Sequence, residues 1–235
     1  VQESIAVEKQ TDGNYKLAVK STNTYNGTTD VNWNVYTINS SGVLDWSNSS
    51  WGGITKHEDD FNQDLNGDGA IGIDAAALTS ISTDTTGARL KRDNENGLYI
   101  DINDDGSNII AITDNYGSTP TFDYYSSESY VQESVAVEKQ ADGSYKLAVK
   151  TTDTYNGTPN INWSVYSINS SGVLDWSNTS GDITQHENDF NQDLNGDGVI
   201  GIAAAALTSV STDTTGARLQ RDSDNSLYID INNDG

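Results

Sequence analysis

Apolar and polar residues alternate along several short stretches of the chain, which is the pattern of β-strands with one buried face. The stretches "YKLAVK" (15–20) and "VNWNVYTI" (31–38) both show it. Turn sequences such as "TDGN" and "SSG" separate these stretches, so neighbouring strands are predicted to pair as antiparallel hairpins. The stretches "LYIDI" (98–102) and "NIIAIT" (108–113) predict a further hairpin. We therefore expect a mainly β protein with antiparallel sheets.

One stretch, "ITKHEDDFNQDL", has helical spacing instead. Its apolar residues Ile54, Phe61 and Leu65 fall on one face of a helix. Thr55 and Glu58 form the T-x-x-E pattern of a capping box, in which each side chain accepts a hydrogen bond from a backbone N–H of the first turn. The sequence therefore predicts a short helix from about residue 56 that leads into an acidic loop. The same pattern recurs later in the chain at Thr184 and Glu187.

The chain contains an internal repeat. The opening "VQESIAVEKQTDGNYKLAVK" returns at residue 131 as "VQESVAVEKQADGSYKLAVK", and roughly four in five of the aligned positions are identical. The offset is 130 residues up to Trp51 and 129 after it, because Trp51 has no counterpart. We predict tandem β modules at 1–130 and 131–235. The second module is interpreted as truncated at its C-terminal end, since nothing in it matches 107–130.

The acidic run "FNQDLNGDG", which occurs once in each copy, has the spacing of a calcium loop. With Asp64 at position 1, Asn66 and Asp68 stand at positions 3 and 5. Gly69 at position 6 allows the sharp bend, and the carbonyl of Ala70 at position 7 supplies another oxygen. This is the first half of an EF-hand loop. The predicted Ca²⁺ ligands are Asp64, Asn66, Asp68 and Ala70, and in the second copy Asp193, Asn195, Asp197 and Val199.

The ligand set is incomplete within these predicted loops, 64–75 and 193–204. Position 12, which is a bidentate Glu in an EF-hand, is Ala75 here. Water or a further acid must complete the shell, and the candidates are Asp60, Asp74 and Asp189. We therefore expect a weak extracellular type of site, with a dissociation constant on the order of 10⁻⁴–10⁻³ M, or somewhat tighter binding if a remote carboxylate joins.

A second D-x-N-x-D-G pattern gives weaker candidate ligands. Its sequence, "LYIDINDDGSNIIAIT", equally predicts a plain hairpin with Asp-Gly at the tip, and no helix leads into it. The residues are Asp101, Asn103 and Asp105, and in the second copy Asp230, Asn232 and Asp234.

Charge excludes two classes of partner. The chain of 235 residues carries 35 acidic and 12 basic residues, a net charge of −23. Nucleic acids and anionic membranes require a basic footprint, so neither is an expected partner. No apolar run is long enough to cross a bilayer, and with no cysteine there is no disulfide or thiolate site. The abundance of Asn, Asp, Thr, Ser and Gly is typical of a secreted or cell-surface bacterial protein.

The blocks "AVEKQTDGNYKLAVK", "VNWNVYTINSSGVLDWS" and "FNQDLNGDGAIG", in this order and spacing, resemble a tryptophan-rich repeat family of bacterial surface proteins. That family is called the tryptophan-rich Synechocystis species C-terminal domain, and the likeness covers most of each module. The loop alone also resembles dockerin and EF-hand loops. The resemblance implies a repeat-containing extracellular protein, and it supplies no well-established enzymatic activity.

The leading functional hypothesis is a non-enzymatic, calcium-binding structural scaffold, stalk or fibre, in which neighbouring modules or chains associate. An enzyme is disfavoured because the two histidines, His57 and His186, show no spacing that brings them to a Ser and an Asp.

The alternative is a glycan-binding or adhesive module that uses exposed aromatic side chains. Trp51 lies in the Ser/Gly-rich stretch "SNSSWGG" and is predicted to be exposed. The other four tryptophans lie in alternating strands, so most of them are predicted to be core residues: Trp33, Trp46, Trp163 and Trp176.

Overall fold

The computed structural model describes residues 1–25, 27–82, 87–120, 122, 130–180, 183–202, 207–210, 217–221 and 227–231. These residues form four antiparallel sheets with very little helix, so the predicted mainly β class is confirmed. The chain divides into two compact units, Val1–Gly181 and Asp182–Gly235. The module boundary at 130/131 stays a prediction from the repeat.

The first sheet is a meander with the strand order β1-β2-β3-β4. Its two long central strands pair over their whole length, from Tyr15 opposite Ile38 to Tyr25 opposite Thr28. Alternation of apolar residues in both strands gives the sheet two distinct faces. The strands are β1 (Gln2–Lys9), β2 (Tyr15–Tyr25), β3 (Thr28–Ile38) and β4 (Leu44–Gly52).

A short helical segment packs on one face of this sheet. A 3₁₀ turn at Thr55–His57 continues into helix α1 (Glu58–Phe61), which ends at Asn62 in the left-handed conformation, with φ of 50°. Phe61 is 1% exposed. It belongs to a buried cluster with Ala18, Trp33, Val35 and Ile54, against which Ala6 and Leu65 pack.

Two further sheets of the first unit share one core. The second sheet comprises β5 (Thr79–Ser80), β6 (Arg89–Arg92), β7 (Leu98–Asp101) and β8 (Ile109–Ala111). The third comprises β9 (Tyr130–Lys139), β10 (Tyr145–Tyr155), β11 (Thr158–Ile168) and β12 (Leu174–Ser180). Their facing side chains form the larger hydrophobic cluster of the described chain: Ala88, Leu90, Leu98, Ile100, Ile112, Phe122, Val137, Tyr145, Leu147, Val149, Tyr166, Ile168 and Leu174.

The second unit repeats the helix and the smaller sheet. Its elements are helix α2 (Glu187–Phe190) and the strands β13 (Thr208–Ser209), β14 (Arg218–Arg221) and β15 (Leu227–Asp230), in the order β13-β14-β15. Phe190 is buried, like its counterpart Phe61 in α1. No helix in the described ranges is long and apolar enough to span a membrane.

Candidate metal centre

The buried side chain of Glu58 accepts hydrogen bonds from the backbone of the acidic loop. This residue opens α1, is 0% exposed, and turns its carboxylate toward the residues that follow the helix. Its Oε1 accepts hydrogen bonds from the backbone N–H groups of Leu65 (2.8 Å) and Asn66 (3.0 Å). Its Oε2 accepts one from the N–H of Gly72 (3.1 Å). One side chain therefore fixes both ends of the loop to the helix.

This arrangement corrects the predicted capping box. Glu58 bonds forward to the loop, and the start of the helical segment is capped by Glu95 from a distant part of the chain. The Oε2 of Glu95 accepts hydrogen bonds from the N–H of Ile54 (2.9 Å) and from the N–H (3.4 Å) and hydroxyl (3.1 Å) of Thr55. Burial and the nearby charge of Asp93 raise the pKa of Glu95, although these hydrogen bonds oppose the rise.

The loop itself folds around its acidic side chains. Asp64 accepts hydrogen bonds from the N–H groups of Gly67 (2.6 Å, Oδ1) and Gly69 (3.0 Å, Oδ2). Asp68 accepts one through Oδ1 from the N–H of Ala70 (2.9 Å). Gly69 has φ of 95°, a left-handed conformation that a residue with a Cβ rarely adopts. The glycine at loop position 6 therefore has the conformational role that the sequence predicts.

Three carboxylates meet in this loop. Oxygen atoms of Glu58, Asp64 and Asp68 all lie within 4.8 Å of one another. Because Ca²⁺ binds oxygen at 2.3–2.6 Å, two oxygens on one ion are separated by at most about 5 Å. The cluster is therefore compact enough for one cation to contact all three carboxylates. Burial raises the pKa of Glu58, and the charge of Asp68 raises it further, against the backbone hydrogen bonds that lower it.

Glu58 is a candidate ligand that the sequence analysis missed. Its T-x-x-E pattern had a local explanation, and its distance from Asp64 along the chain fits no EF-hand position. Asp60, a candidate from the sequence for completing the shell, is paired instead with a lysine and a histidine: its Oδ2 lies 2.5 Å from Lys16 Nζ and 3.2 Å from His57 Nδ1. The acid that approaches the loop is thus the buried first residue of the helix.

The side chains of two other predicted ligands accept hydrogen bonds from nearby backbone N–H groups. Asn66 accepts a hydrogen bond through Oδ1 from the N–H of Asp68 (2.9 Å), and its Nδ2 donates to Asp68 Oδ2 (3.0 Å). Asp74 caps the 3₁₀ turn Ala75–Ala77 by accepting from the N–H of Ala76 (2.9 Å). Asp74 and Asp68 both line a small cleft of about 70 Å³.

The second copy reproduces the hydrogen bonds of the loop. Glu187 accepts from the N–H groups of Leu194 (3.0 Å), Asn195 (3.0 Å) and Gly201 (2.9 Å). As in the first copy, this glutamate bonds forward, so the capping box predicted with Thr184 is also corrected. Within the described ranges, only the first copy brings three carboxylates within 4.8 Å.

The remaining acids of the second loop follow the same pattern. Asp193 accepts from the N–H groups of Gly196 (2.7 Å) and Gly198 (2.8 Å). Asp197 accepts from the N–H of Val199 (2.9 Å). Asp189, the equivalent of Asp60, has its Oδ2 at 2.9 Å from His186 Nδ1.

In the weaker candidate loop, the ammonium group of Lys91 from β6 lies against the acid that a cation would bind. Asp101 is 0% exposed, and its Oδ2 lies 2.8 Å from Lys91 Nζ and accepts a hydrogen bond from the N–H of Gly106 (3.0 Å). Burial raises the pKa of Asp101, but the hydrogen bonds from Lys91 and Gly106 outweigh it and leave that pKa low. In the second copy Gln220 replaces this lysine and lies 3.3 Å from Asp230 Oδ2. Asn232 and Asp234 lie outside the described residues.

A serine, a histidine and an aspartate do converge, contrary to the sequence analysis. His57 Nε2 lies 2.7 Å from Ser50 Oγ, and His57 Nδ1 lies 3.2 Å from Asp60 Oδ2. Ser50 is 8% exposed, and its hydroxyl donates to the carbonyl oxygen of Gly117 (2.8 Å). In an acyl-transfer site the serine hydroxyl donates its proton to the histidine, and hydrogen-bond donors surround the reacting oxygen. Here the Ser50 hydroxyl donates to the carbonyl oxygen of Gly117 instead. This network ties β4 to the helical segment.

The tryptophans depart from the prediction in both directions. Trp33 is buried, as expected, but Trp46 is 74% and Trp176 46% exposed, so the core assignment is wrong for these two. Trp51 lies in β4 and not in a loop. It is half-buried and lines a cleft of about 290 Å³ together with polar residues that include Asp30, Asn94 and Asn96.

Comparison of the chain with protein-family models, with curated proteins and with solved structures finds no match. The tryptophan-rich repeat family therefore stays a resemblance in sequence blocks.

Proposed function

We propose that this chain is a non-enzymatic, calcium-binding repeat module of a secreted or cell-surface scaffold. The observation that carries the proposal is the convergence of the buried Glu58 carboxylate with Asp64 and Asp68. All three are hard oxygen ligands, and their backbone hydrogen bonds orient them before any ion arrives. The blocks shared with the tryptophan-rich surface repeats are consistent with this reading.

Calcium fits the cluster better than magnesium for two reasons. Ca²⁺ accepts irregular shells of six to eight oxygens, and a loop of backbone, amide and carboxylate oxygens can supply them. Mg²⁺ requires near-octahedral geometry and keeps several of its waters, so it binds weakly to such loops. A net charge of −23 also favours any cation, because binding relieves repulsion within the folded chain.

The bound ion would act as a structural clamp. Glu58 belongs to α1, and Phe61 of the same helix is buried against the first sheet. An ion shared by Glu58, Asp64 and Asp68 would therefore connect the loop through the helix to the sheet. Because the unfolded chain lacks the site, the binding free energy adds to the stability of the folded state.

Glycan binding is the second candidate, and the Trp51 cleft is the observation that favours it. A half-exposed indole beside an aspartate and two asparagines offers both a stacking surface and hydrogen-bonding groups for a sugar ring. The second copy has no equivalent of Trp51. If this candidate is correct, immobilised polysaccharide retains the wild-type chain, and Trp51→Ala abolishes retention without changing calcium binding.

Titration calorimetry on matched variants tests the calcium proposal. We expect two sites in the wild-type chain. The first copy should bind more tightly because, among the described residues, three carboxylates converge in that copy alone. Asp64→Asn should remove the tighter site and Asp193→Asn the weaker one. The proposal would be refuted if calcium gave no heat of binding with the wild-type chain, or if magnesium bound with the same affinity as calcium.

A further inference from the structure

The second sheet, β5–β8, packs on one face of the third sheet, β9–β12, and buries most of its apolar residues. Val137, Leu147 and Leu174 on the covered face are all 0% exposed. Across from them, Leu90 and Ile100 are also 0% exposed. All five belong to one continuous core.

Backbone contacts make this internal interface specific. The N–H of Thr113 donates to the carbonyl of Gly172 (3.0 Å), and the N–H of Leu174 donates to the carbonyl of Thr113 (2.8 Å). A Cβ on Gly172 would lie 2.2 Å from the carbonyl oxygen of Ala111, so only glycine fits there. The turn of one sheet thus docks directly on the edge of the other.

The first sheet carries the same face without a cover. Every apolar residue of the covered face has an identical counterpart 130 positions earlier. Val7 is 56% exposed where Val137 is 0% exposed, and Trp46 is 74% exposed where Trp176 is 46%. Gly42, the counterpart of Gly172, has open space around its Cβ position. We call this surface the head face; its residues are Val7, Tyr15, Leu17, Val19, Tyr36, Ile38, Leu44 and Trp46.

The sheet of the second unit carries the other half of the interface, also uncovered. Leu227 is 56% exposed and Ile229 is 68% exposed, whereas the equivalent residues of β7, Leu98 and Ile100, are 2% and 0% exposed. Ile231 is 74% exposed. We call this surface the tail face; its residues are Val210, Leu219, Leu227, Ile229 and Ile231.

We propose that the tail face of one chain docks on the head face of a second copy of this chain. The contact would repeat the packing of β5–β8 on β9–β12, since each face is the sequence counterpart of one half of that interface. The two faces differ from each other, so the contact is heterologous and every added chain leaves one head and one tail free. The product is an open, head-to-tail filament. None of the cation-site residues takes part.

Sedimentation velocity on matched variants tests this inference. Val7→Lys disables the head face and Ile229→Lys the tail face, and both change exposed side chains. Wild-type chain should grow beyond a dimer between about 5 and 500 µM, with either calcium or chelator present. Each variant alone should stay monomeric. An equimolar mixture should stop at the dimer, because only one intact head meets one intact tail.

Controls on the opposite faces of the same sheets are Val31→Lys and Gln220→Lys, which should associate like wild type. A wild-type chain that stays monomeric up to about 500 µM would overturn the proposal. So would association that survives Val7→Lys or Ile229→Lys. Two variants that remain monomeric when mixed would also overturn it, because an intact tail face would then have failed to bind an intact head face.

Discussion

Replacing Glu58 with Gln changes the one side chain that connects helix, loop and proposed ion. The variant keeps the size of the side chain and removes its charge. The glutamine carbonyl can still accept from the N–H groups of Leu65 and Asn66, but its amide then faces the N–H of Gly72, which is another donor. One charge-assisted hydrogen bond is lost, and a buried N–H is left without an acceptor.

The size of the effect follows from these contacts. A hydrogen bond to a charged group contributes about 1.5–3 kcal/mol, and a buried unsatisfied donor costs about 1–3 kcal/mol. The variant no longer buries a charge, which offsets part of this loss. We therefore expect Glu58→Gln to lower the free energy of unfolding by about 2–3 kcal/mol in chelator. At about 10 mM calcium the loss should grow by about 1–3 kcal/mol, because the ion no longer stabilises the first loop.

Denaturant unfolding gives the total, and hydrogen exchange of the segment 58–72 assigns it to the loop. Asp59→Asn is the matched control, since it removes a charge from an exposed position of the same helix and introduces the residue of the second copy, Asn188. The control should change stability by less than about 0.5 kcal/mol. A Glu58→Gln chain as stable as the control in chelator, or one that gains wild-type stability from calcium, would refute the assigned role of Glu58.

Two further predictions use the natural differences between the copies. Burial lowers the pKa of Lys56 from 10.5 to about 8, against the charges of nearby acids, so the unfolded chain binds more protons between these two values. The free energy of unfolding should therefore rise by about 1–3 kcal/mol across that pH window in the wild-type chain. The rise should be absent in Lys56→Gln, which introduces the residue of the second copy, Gln185. An equal rise in both chains would contradict the assignment. Gly172→Ala should cost more than about 3 kcal/mol, because the new Cβ meets the carbonyl of Ala111, whereas Gly42→Ala should cost only about 1 kcal/mol for its left-handed backbone. Equal melting temperatures of the two glycine variants would contradict the internal interface.

Local patterns were sufficient to predict the strands. Alternation in "YKLAVK" and "VNWNVYTI" predicts β2 and β3, and the turn sequences predict their antiparallel pairing, because both depend on neighbouring residues only. The fixed spacing of Asp64, Asp68 and Gly69 likewise predicts the bend at Gly69, which has φ of 95°. These features need no knowledge of distant parts of the chain.

Long-range contacts account for what the sequence did not predict. The role of Glu58 depends on a loop that returns to the helix. Its T-x-x-E pattern forms no capping box, because Glu95, about 40 residues further along the chain, caps the helical segment instead. The exposure of Trp46 depends on whether another sheet covers its face. That covering differs between two copies of nearly identical sequence, so no local pattern could reveal it.

The central claim is that the acidic loops are stabilising calcium sites, and a thermal melt tests it most directly. The wild-type chain is heated with calcium, with magnesium and with chelator at equal ionic strength, beside the double variant Asp64→Ala plus Asp193→Ala. We expect a rise in Tm of several degrees that is specific to calcium and is lost in the double variant. Identical melting of the wild-type chain in all three conditions would contradict the claim.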